Sequence, residues 1–158
     1  MIRRVALLLF LASPANALSC LPPDAVRLYS QASESDERFV IVKGRLDPAK
    51  PITIPEIPKN GTLSESEAAI TRVRMTGHLL GEEDFSQAFD GDVDVSVTCL
   101  SVWCGDPVTD RDILGALRLT DDVPVLEIGP CGGNSIPLEQ ADLKALLACH
   151  RSGKCQRD

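Results

Sequence analysis

The stretch FDGDVDVSVTCL, residues 89–100, carries the clearest structural signal in this sequence. After a predicted tight turn at Asp90-Gly91, apolar and polar residues alternate strictly along it. Such alternation is typical of a β-strand that buries one face, so we expect the core to be built on a sheet. The residues predicted to face that core are Val93, Val95, Val97 and Cys99.

Other segments also have strand patterns. RFVIVKGRL (38–46) is rich in β-branched residues, and AITRVRMTGHLLG (69–81) alternates weakly around a glycine where a strand can bend. ALRL (116–119) and VPVLEIG (123–129) flank an Asp-Asp pair and predict a hairpin. Together with the first stretch, they indicate a mainly β chain of about five short strands.

A helix is predicted near each end of the chain. Asp24 can cap a helix over AVRLYSQAS (25–33), and PLEQADLKALLACH (137–150) has a helical apolar face. The stretch DPAKPITIPEIPKNGTLSES (47–66) has four prolines and an Asn-Gly turn signal, so it predicts a loop with at most a short edge strand. The expected fold is a small OB-like, partly closed β-barrel with a short N-terminal and a C-terminal helix.

The first seventeen residues have the order of a bacterial-type secretory signal peptide. Arg3 and Arg4 precede a short apolar run, and Ala15-Asn16-Ala17 is a small-x-small cleavage site. The sequence therefore predicts a signal peptide over 1–17 and one disulfide-stabilised domain over 18–158. No other long apolar run occurs, so no transmembrane segment is predicted. Lipidation of Cys20 is an alternative reading of the same region.

The charge balance is acidic. The sequence has 16 basic and 23 acidic residues, a net charge of −7. Loss of the signal peptide with its two arginines brings the net charge to −9. This composition argues against nucleic acids, because their binding depends on neutralising phosphates, and against anionic lipid surfaces.

The chain contains an even number of cysteines, all in the predicted mature part. In an exported chain, this predicts disulfides, with fifteen possible pairings. The spacings do not give the two close pairs of a zinc site, and there is no C-x-x-C redox motif. The cysteines are Cys20, Cys99, Cys104, Cys131, Cys149 and Cys155.

Two incomplete constellations could carry chemistry. His78 and Glu82, with the acidic residues that follow, could contribute to a metal site, although a third ligand is not evident. Cys131, in the turn GPCGGNS (129–135), could be a nucleophile with His78 or His150 as its base. No catalytic motif is complete, so the sequence predicts neither a cofactor nor a metal.

Trp103, the only tryptophan, lies next to Cys104 in VTCLSVWCGD (97–106). The general burial of tryptophan predicts that its ring packs on a disulfide. If the ring is exposed instead, it is the best single anchor for a partner.

Four segments carry a resemblance to known proteins. FVIVKGRL (39–46), VTCLSVWCGD (97–106), LEIGPCGG (126–133) and ACHRSGKC (148–155) resemble a group of small exported bacterial proteins of unknown function. The layout is also similar to netrin-like modules and tissue inhibitors of metalloproteases, which have an OB-type barrel and a cysteine at the mature N-terminus.

The netrin-like resemblance implies a disulfide pattern. It pairs Cys20 with Cys104 or Cys131, and a small terminal loop would join Cys149 to Cys155. The inhibitors begin with C-x-C, whereas Pro22 follows Cys20 here at the corresponding spacing. We therefore do not extend the resemblance to protease inhibition.

Taken together, these features favour an exported, non-catalytic binding module in the periplasm or outside the cell, with an unknown protein or small ligand as its partner. The alternatives are a small enzyme that uses Cys131 or the His78 acidic cluster, and a lipid-anchored structural protein of the envelope.

Overall fold

The computed structural model describes residues 19–57 and 67–155. The predicted signal peptide and the predicted Asn60-Gly61 turn lie outside these ranges. In chain order the elements are α1 (Ala25–Ser33), β1 (Phe39–Asp47), β2 (Ala69–Leu79), β3 (Gln87–Val97), β4 (Cys99–Leu100), β5 (Trp103–Cys104), β6 (Ile113–Arg118), β7 (Val125–Ile128), β8 (Ser135–Pro137), a 3₁₀ turn (Leu138–Gln140) and α2 (Leu143–Ser152).

Five strands form a barrel in the order β1-β2-β3-β7-β6, which β6 closes by pairing with β1. The β3–β7 pair is parallel and the other pairs of the barrel are antiparallel. β8 extends the sheet beyond β6, and β4 with β5 forms a separate two-stranded hairpin. This confirms the predicted mainly β fold with a small barrel and a helix near each end.

The barrel interior is filled by the alternating apolar side chains that the strand patterns predicted. Val93, Val95 and Val97 of β3 are fully buried, and Cys99 is 1% exposed. Side chains from the other four strands complete this cluster. They are Val42, Leu46, Val73, Met75, Ile113, Leu117, Leu126 and Ile128.

The predicted turn at Asp90-Gly91 is wrong. β3 runs through both residues and pairs with β2 from Leu79↔Gln87 to Ala69↔Val97, and the reversal lies in residues 80–86. Asp-Gly favours turns locally, but here continuous pairing with β2 satisfies the backbone hydrogen bonds of the strand.

Both helices pack on the outside of the barrel, against β1 and β6. Ile41, Leu114 and Ala116 point away from the interior and contact apolar residues of α1 and α2. α1 begins as predicted, since the Asp24 carboxylate accepts a hydrogen bond of 2.9 Å from the Arg27 amide. Leu146 of α2 is fully buried in the same layer.

The last helix is shorter than predicted. It begins at Leu143 rather than near Pro137, because Asp142 caps it by accepting a 2.9 Å hydrogen bond from the Ala145 amide. The preceding residues form the 3₁₀ turn, and Ala141 between the two has extended backbone angles. The prediction of one continuous helix over 137–150 is therefore wrong.

Ser30 is a buried polar residue of α1 whose replacement should stabilise the fold. It is 2% exposed, and its hydroxyl has no hydrogen-bond partner among the residues that the structure describes. Ser30→Ala should raise the free energy of unfolding by about 1 kcal/mol, because it removes an unsatisfied hydroxyl and introduces a better helix former. Urea denaturation measures this change.

The matched control is Ser33→Ala, in the same helix. The exposed Ser33 hydroxyl donates a 3.0 Å hydrogen bond to the Ser30 carbonyl, so its removal should change stability by less than about 0.5 kcal/mol. A loss of stability in Ser30→Ala would show that the hydroxyl does have a partner in solution.

Candidate functional site

The six cysteines form three disulfides, as predicted. Cys20 pairs with Cys131 and ties the segment before α1 to the turn after β7. Cys99–Cys104 crosses the β4–β5 hairpin, and Cys149–Cys155 closes the end of α2. The pairs that the netrin-like resemblance implied are thus formed, with Cys131 as the partner of Cys20. Three disulfides indicate an oxidising compartment outside the cytoplasm.

The Cys20–Cys131 bond bears on two of the alternative hypotheses. A cysteine nucleophile must be a thiolate, whereas the Cys131 sulfur is bonded to Cys20 in this structure. Lipidation would require the Cys20 sulfur that the same bond occupies. In the oxidised chain, this bond thus leaves neither sulfur available for those roles.

The structure does not assemble the metal site considered for His78. His78 lies on the outer face of β2, opposite Ala88 of β3, while Glu82 follows in the connecting loop. Within residues 19–57 and 67–155, no three His, Cys, Asp or Glu side chains are grouped so that they could hold a metal ion. His150 has a structural contact set, with its ring nitrogens 2.9 Å from the Tyr29 hydroxyl and 2.9 Å from the Gly81 carbonyl.

The β4–β5 hairpin displays Trp103 instead of burying it. Trp103 is 46% exposed and the adjacent Val102 is 60% exposed. In the hairpin Cys99 is opposite Cys104, and Leu100 is opposite Trp103. Opposite residues share a face and successive residues alternate, so burial of Cys99 turns Trp103 to the other side. The predicted burial of the Trp103 ring is therefore wrong.

Exposed large hydrophobic residues are concentrated at the end of the barrel that bears this hairpin. Their relative exposures range from 44% to 63%. Isolated exposed apolar residues are ordinary, but a group from three separate segments is not. We call this surface the apolar end, and it consists of Ile54, Ile57, Ile70, Val102 and Trp103.

Two contacts bring the three segments of the apolar end together. The Thr53 amide donates a 2.9 Å hydrogen bond to the Thr71 hydroxyl, which fixes residues 51–57 beside the start of β2. The Cys99 sulfur lies 4.0 Å from the Pro55 carbonyl oxygen, which places the same loop against the β4–β5 hairpin. Ile52 packs against the barrel interior and anchors the loop from below.

The charged groups beside the apolar end are acidic in excess. Arg72, two positions from Ile70 along β2, bonds the Asp94 carboxylate at 2.9 Å and the Asp122 carboxylate at 3.3 Å. Glu56 and Glu67 are exposed in the flanking segments. One guanidinium thus compensates two carboxylates, and the glutamates add further negative charge.

The Arg72 contact also sets the ionisation of its partner. Its hydrogen bond lowers the pKa of Asp94 below the ordinary value, and the nearby positive charge acts in the same direction. A pKa that is lower in the folded state stabilises the fold at neutral pH, and this contribution is lost only as the pH falls through the lowered pKa. The Asp94 carboxylate therefore stays ionised, and paired with Arg72, to a lower pH than an ordinary aspartate.

Two grooves lie elsewhere on the surface. One, of about 660 Å³, runs beside the Cys20–Cys131 disulfide and is bordered by Leu21 and Leu28. The other, of about 690 Å³, lies over the outer faces of β1, β2 and β3 near Lys43 and His78.

No protein-family model matches the chain, and no significant match is found among curated proteins or solved structures. Of the helices in the described ranges, none is long and apolar enough to cross a membrane.

The sequence analysis identified one member of the apolar end, Trp103, but missed the other four, which are Ile54, Ile57, Ile70 and Val102. A signal for the first two was present, because ITIPEI (52–57) places isoleucines in a proline-rich segment that cannot bury all of them in a regular strand. The position of their segment beside the β4–β5 hairpin depends on contacts between distant parts of the chain.

Proposed function

We propose that this chain is an exported, non-catalytic binding module that engages a protein partner through the apolar end. The observation that carries the proposal is that three segments in contact at one end of the barrel carry five exposed large hydrophobic side chains. A few anchor residues supply most of the energy at protein interfaces, and tryptophan is among the side chains most enriched at these anchors.

The geometry of the hairpin supports this role. Cys99–Cys104 joins the two strands one residue pair away from the Leu100–Trp103 pair that flanks the Ser101-Val102 turn, so Val102 and Trp103 are presented on a covalently restrained hairpin. Restraint before binding lowers the entropy cost of ordering a contact loop. Ser101 adopts a left-handed backbone conformation with φ of 55°, which fits a tight turn of this kind.

Charge favours a protein over the other macromolecules with which an apolar surface can associate. The acidic surroundings of the apolar end and the net charge of −7 repel nucleic acid and anionic lipid. They attract a partner whose own apolar patch is bordered by lysine or arginine. We accordingly place the module in the periplasm or outside the cell, where its disulfides persist.

We further propose that the barrel belongs to the netrin-like type of OB module. The bond from the N-terminal Cys20 to Cys131 and the packing of both terminal helices on one side of the barrel support this assignment. Inhibition of metalloproteases is not part of the proposal, because Pro22 occupies the position of the second cysteine in the C-x-C motif of the inhibitors.

Replacement of Trp103 should abolish most of the binding. Trp103→Ala is expected to weaken the complex at least about thirtyfold, equivalent to about 2 kcal/mol, which is typical of a central aromatic anchor. To find the partner, a photo-crosslinking amino acid at Val102 would be introduced in a bacterium that exports the chain. A discrete crosslinked protein is expected, with a yield that falls sharply when Trp103→Ala is added.

Two controls define the specificity of that crosslink. Leu21→Ala removes a side chain that is 70% exposed but borders the groove beside the Cys20–Cys131 disulfide. The yield of the crosslinked protein should therefore stay unchanged. The same crosslinking amino acid at exposed Lys144 on α2 should not capture the protein that is crosslinked from Val102. Equal capture from both positions, or association of the purified chain with neutral phosphatidylcholine vesicles through Trp103, would reject a protein partner at the apolar end.

A further inference from the structure

The first half of β3 lies at an open edge of the barrel. β3 pairs with β2 along its whole length, whereas β7 pairs only with Asp94–Val97. The exposed residues of the first half include Ala88, Asp90 and Asp92. A strand edge without a neighbour presents unpaired amides and carbonyls, and it can accept a further strand from another chain.

The direction of the backbone groups follows from the contact between β3 and β7. The Asp94 amide donates a 2.9 Å hydrogen bond to the Pro124 carbonyl, so it points away from β2. Every second residue of a strand points its amide and carbonyl to the same side. The groups of Ala88, Asp90 and Asp92 therefore point to the side that β7 leaves open. Within residues 19–57 and 67–155, none of these groups has a backbone partner.

The side chains beside this edge are acidic in excess. Val93 is fully buried, so the residues that alternate with it along β3 point outward. Asp90 bonds Arg74 at 2.9 Å. Asp92 is opposite Arg74 in the strand register but forms no ion pair with another described residue. The adjacent Arg72 cluster has the same ratio of two carboxylates to one guanidinium.

We propose that the open edge of β3 binds an extended basic segment of a partner protein, which joins the sheet as an added strand. Its backbone pairs with Ala88, Asp90 and Asp92, and lysine or arginine at alternate positions lies beside the carboxylates of the outer face. A second copy of this chain does not fit, because pairing of two β3 edges would bring their aspartates together.

This edge is separate from the apolar end, so the inference goes beyond the proposed function. Ile70 of the apolar end is opposite Ser96 in the register of β2 and β3. Ser96 and Ala88 are eight positions apart on β3, which is about 26 Å in an extended strand.

The test is nuclear magnetic resonance of the full mature chain with a short, end-blocked peptide of alternating lysine and valine. In the free chain, the amides of Ala88, Asp90 and Asp92 should exchange rapidly with deuterium, because they have no acceptor. Saturating peptide should slow their exchange at least about tenfold, with a dissociation constant on the order of 0.1 mM. The same peptide methylated at every backbone nitrogen keeps its charges but cannot donate to β3, so it should give no protection.

Two pairs of aspartate variants separate this edge from general attraction of cations. Joint replacement of Asp90 and Asp92 by asparagine should weaken peptide binding about tenfold, because it removes two carboxylates and frees Arg74. Joint replacement of Asp36 and Asp106 by asparagine removes the same charge from exposed positions in loops that do not pair with β3. This control pair should leave binding unchanged.

Four outcomes would overturn the proposal. They are protection of the three edge amides in the free chain, protection that grows with protein concentration, equal binding of the methylated peptide, and equal weakening by the control pair. The Trp103 indole signal should stay in place throughout the titration, because it reports on the apolar end. None of these outcomes bears on the partner crosslinked at Val102.

Discussion

Joint replacement of Cys20 and Cys131 by alanine should lower the free energy of unfolding by about 4–5 kcal/mol. The bond joins residues 111 positions apart, so it restricts nearly the whole unfolded domain. The entropy that a crosslink removes from the unfolded chain grows with the length of the closed loop. A domain of this size is stable by only about 5–15 kcal/mol, so the variant should be close to unfolding at body temperature.

The other two disulfides provide a comparison within the same chain, and each has one buried cysteine, Cys99 or Cys149, whose replacement also removes core packing. Cys99–Cys104 and Cys149–Cys155 span 5 and 6 positions, and the same entropy argument gives about 2 kcal/mol for each. Urea denaturation of the three double alanine variants measures how much unfolding free energy each one loses. Circular dichroism of each variant shows whether the native barrel is retained before denaturation.

The exposure of Cys20 and Cys131 makes this comparison informative. Both residues are exposed, so alanine at these positions leaves no cavity in the core. The stability change then reports mainly on the crosslink. A loss of about 2 kcal/mol or less would show that the unfolded chain is already compact around the Cys20–Cys131 contact.

Strand patterns predicted the barrel because its interior depends on local alternation. The inward residues of β1 and β3 could be identified from the sequence, and so could the first helix from its Asp24 cap. Boundaries that depend on competing local signals were less secure. Asp90-Gly91 favours a turn locally, but pairing with β2 overrides this preference. Asp142 caps a new helix inside the segment that was predicted as one helix.

The candidate surfaces were harder to predict because each depends on contacts between distant segments. Trp103 could have been assigned to the exposed side, since burial of Cys99 and a two-residue turn together fix its direction. The position of Ile54 depends on the Thr53–Thr71 bond, which no local pattern indicates. The open edge of β3 likewise depends on where its pairing with β7 begins.

The largest effect of a single substitution is expected where β1 and β2 approach most closely. Gly44 and Gly77 are opposite each other in the register. A Cβ atom on Gly44 would lie 2.8 Å from the Gly77 Cα, and one on Gly77 would lie 2.6 Å from the Gly44 Cα. Each would also overlap a carbonyl group of the facing strand, which is backbone and cannot rotate away as a side chain can.

Gly44→Ala should therefore lower the free energy of unfolding by at least about 3 kcal/mol, although it adds a single methyl group. The two strands must separate to admit the methyl, and β1 also pairs with β6 to close the barrel. Gly77→Ala meets the same obstruction from the other side and should have an effect of similar size. Urea denaturation and thermal unfolding measure both variants.

Gly91→Ala is the control, because it makes the same substitution in a strand of the same barrel. The nearest atom to its Cβ is a ring carbon of Phe89 at 3.5 Å, an ordinary van der Waals distance. Alanine loses less backbone entropy than glycine on folding, so this variant should be as stable as the original chain or more stable by about 0.5 kcal/mol. If Gly44→Ala resembled Gly91→Ala, the close approach of β1 and β2 would not be required for barrel closure, since the strands could separate at little cost.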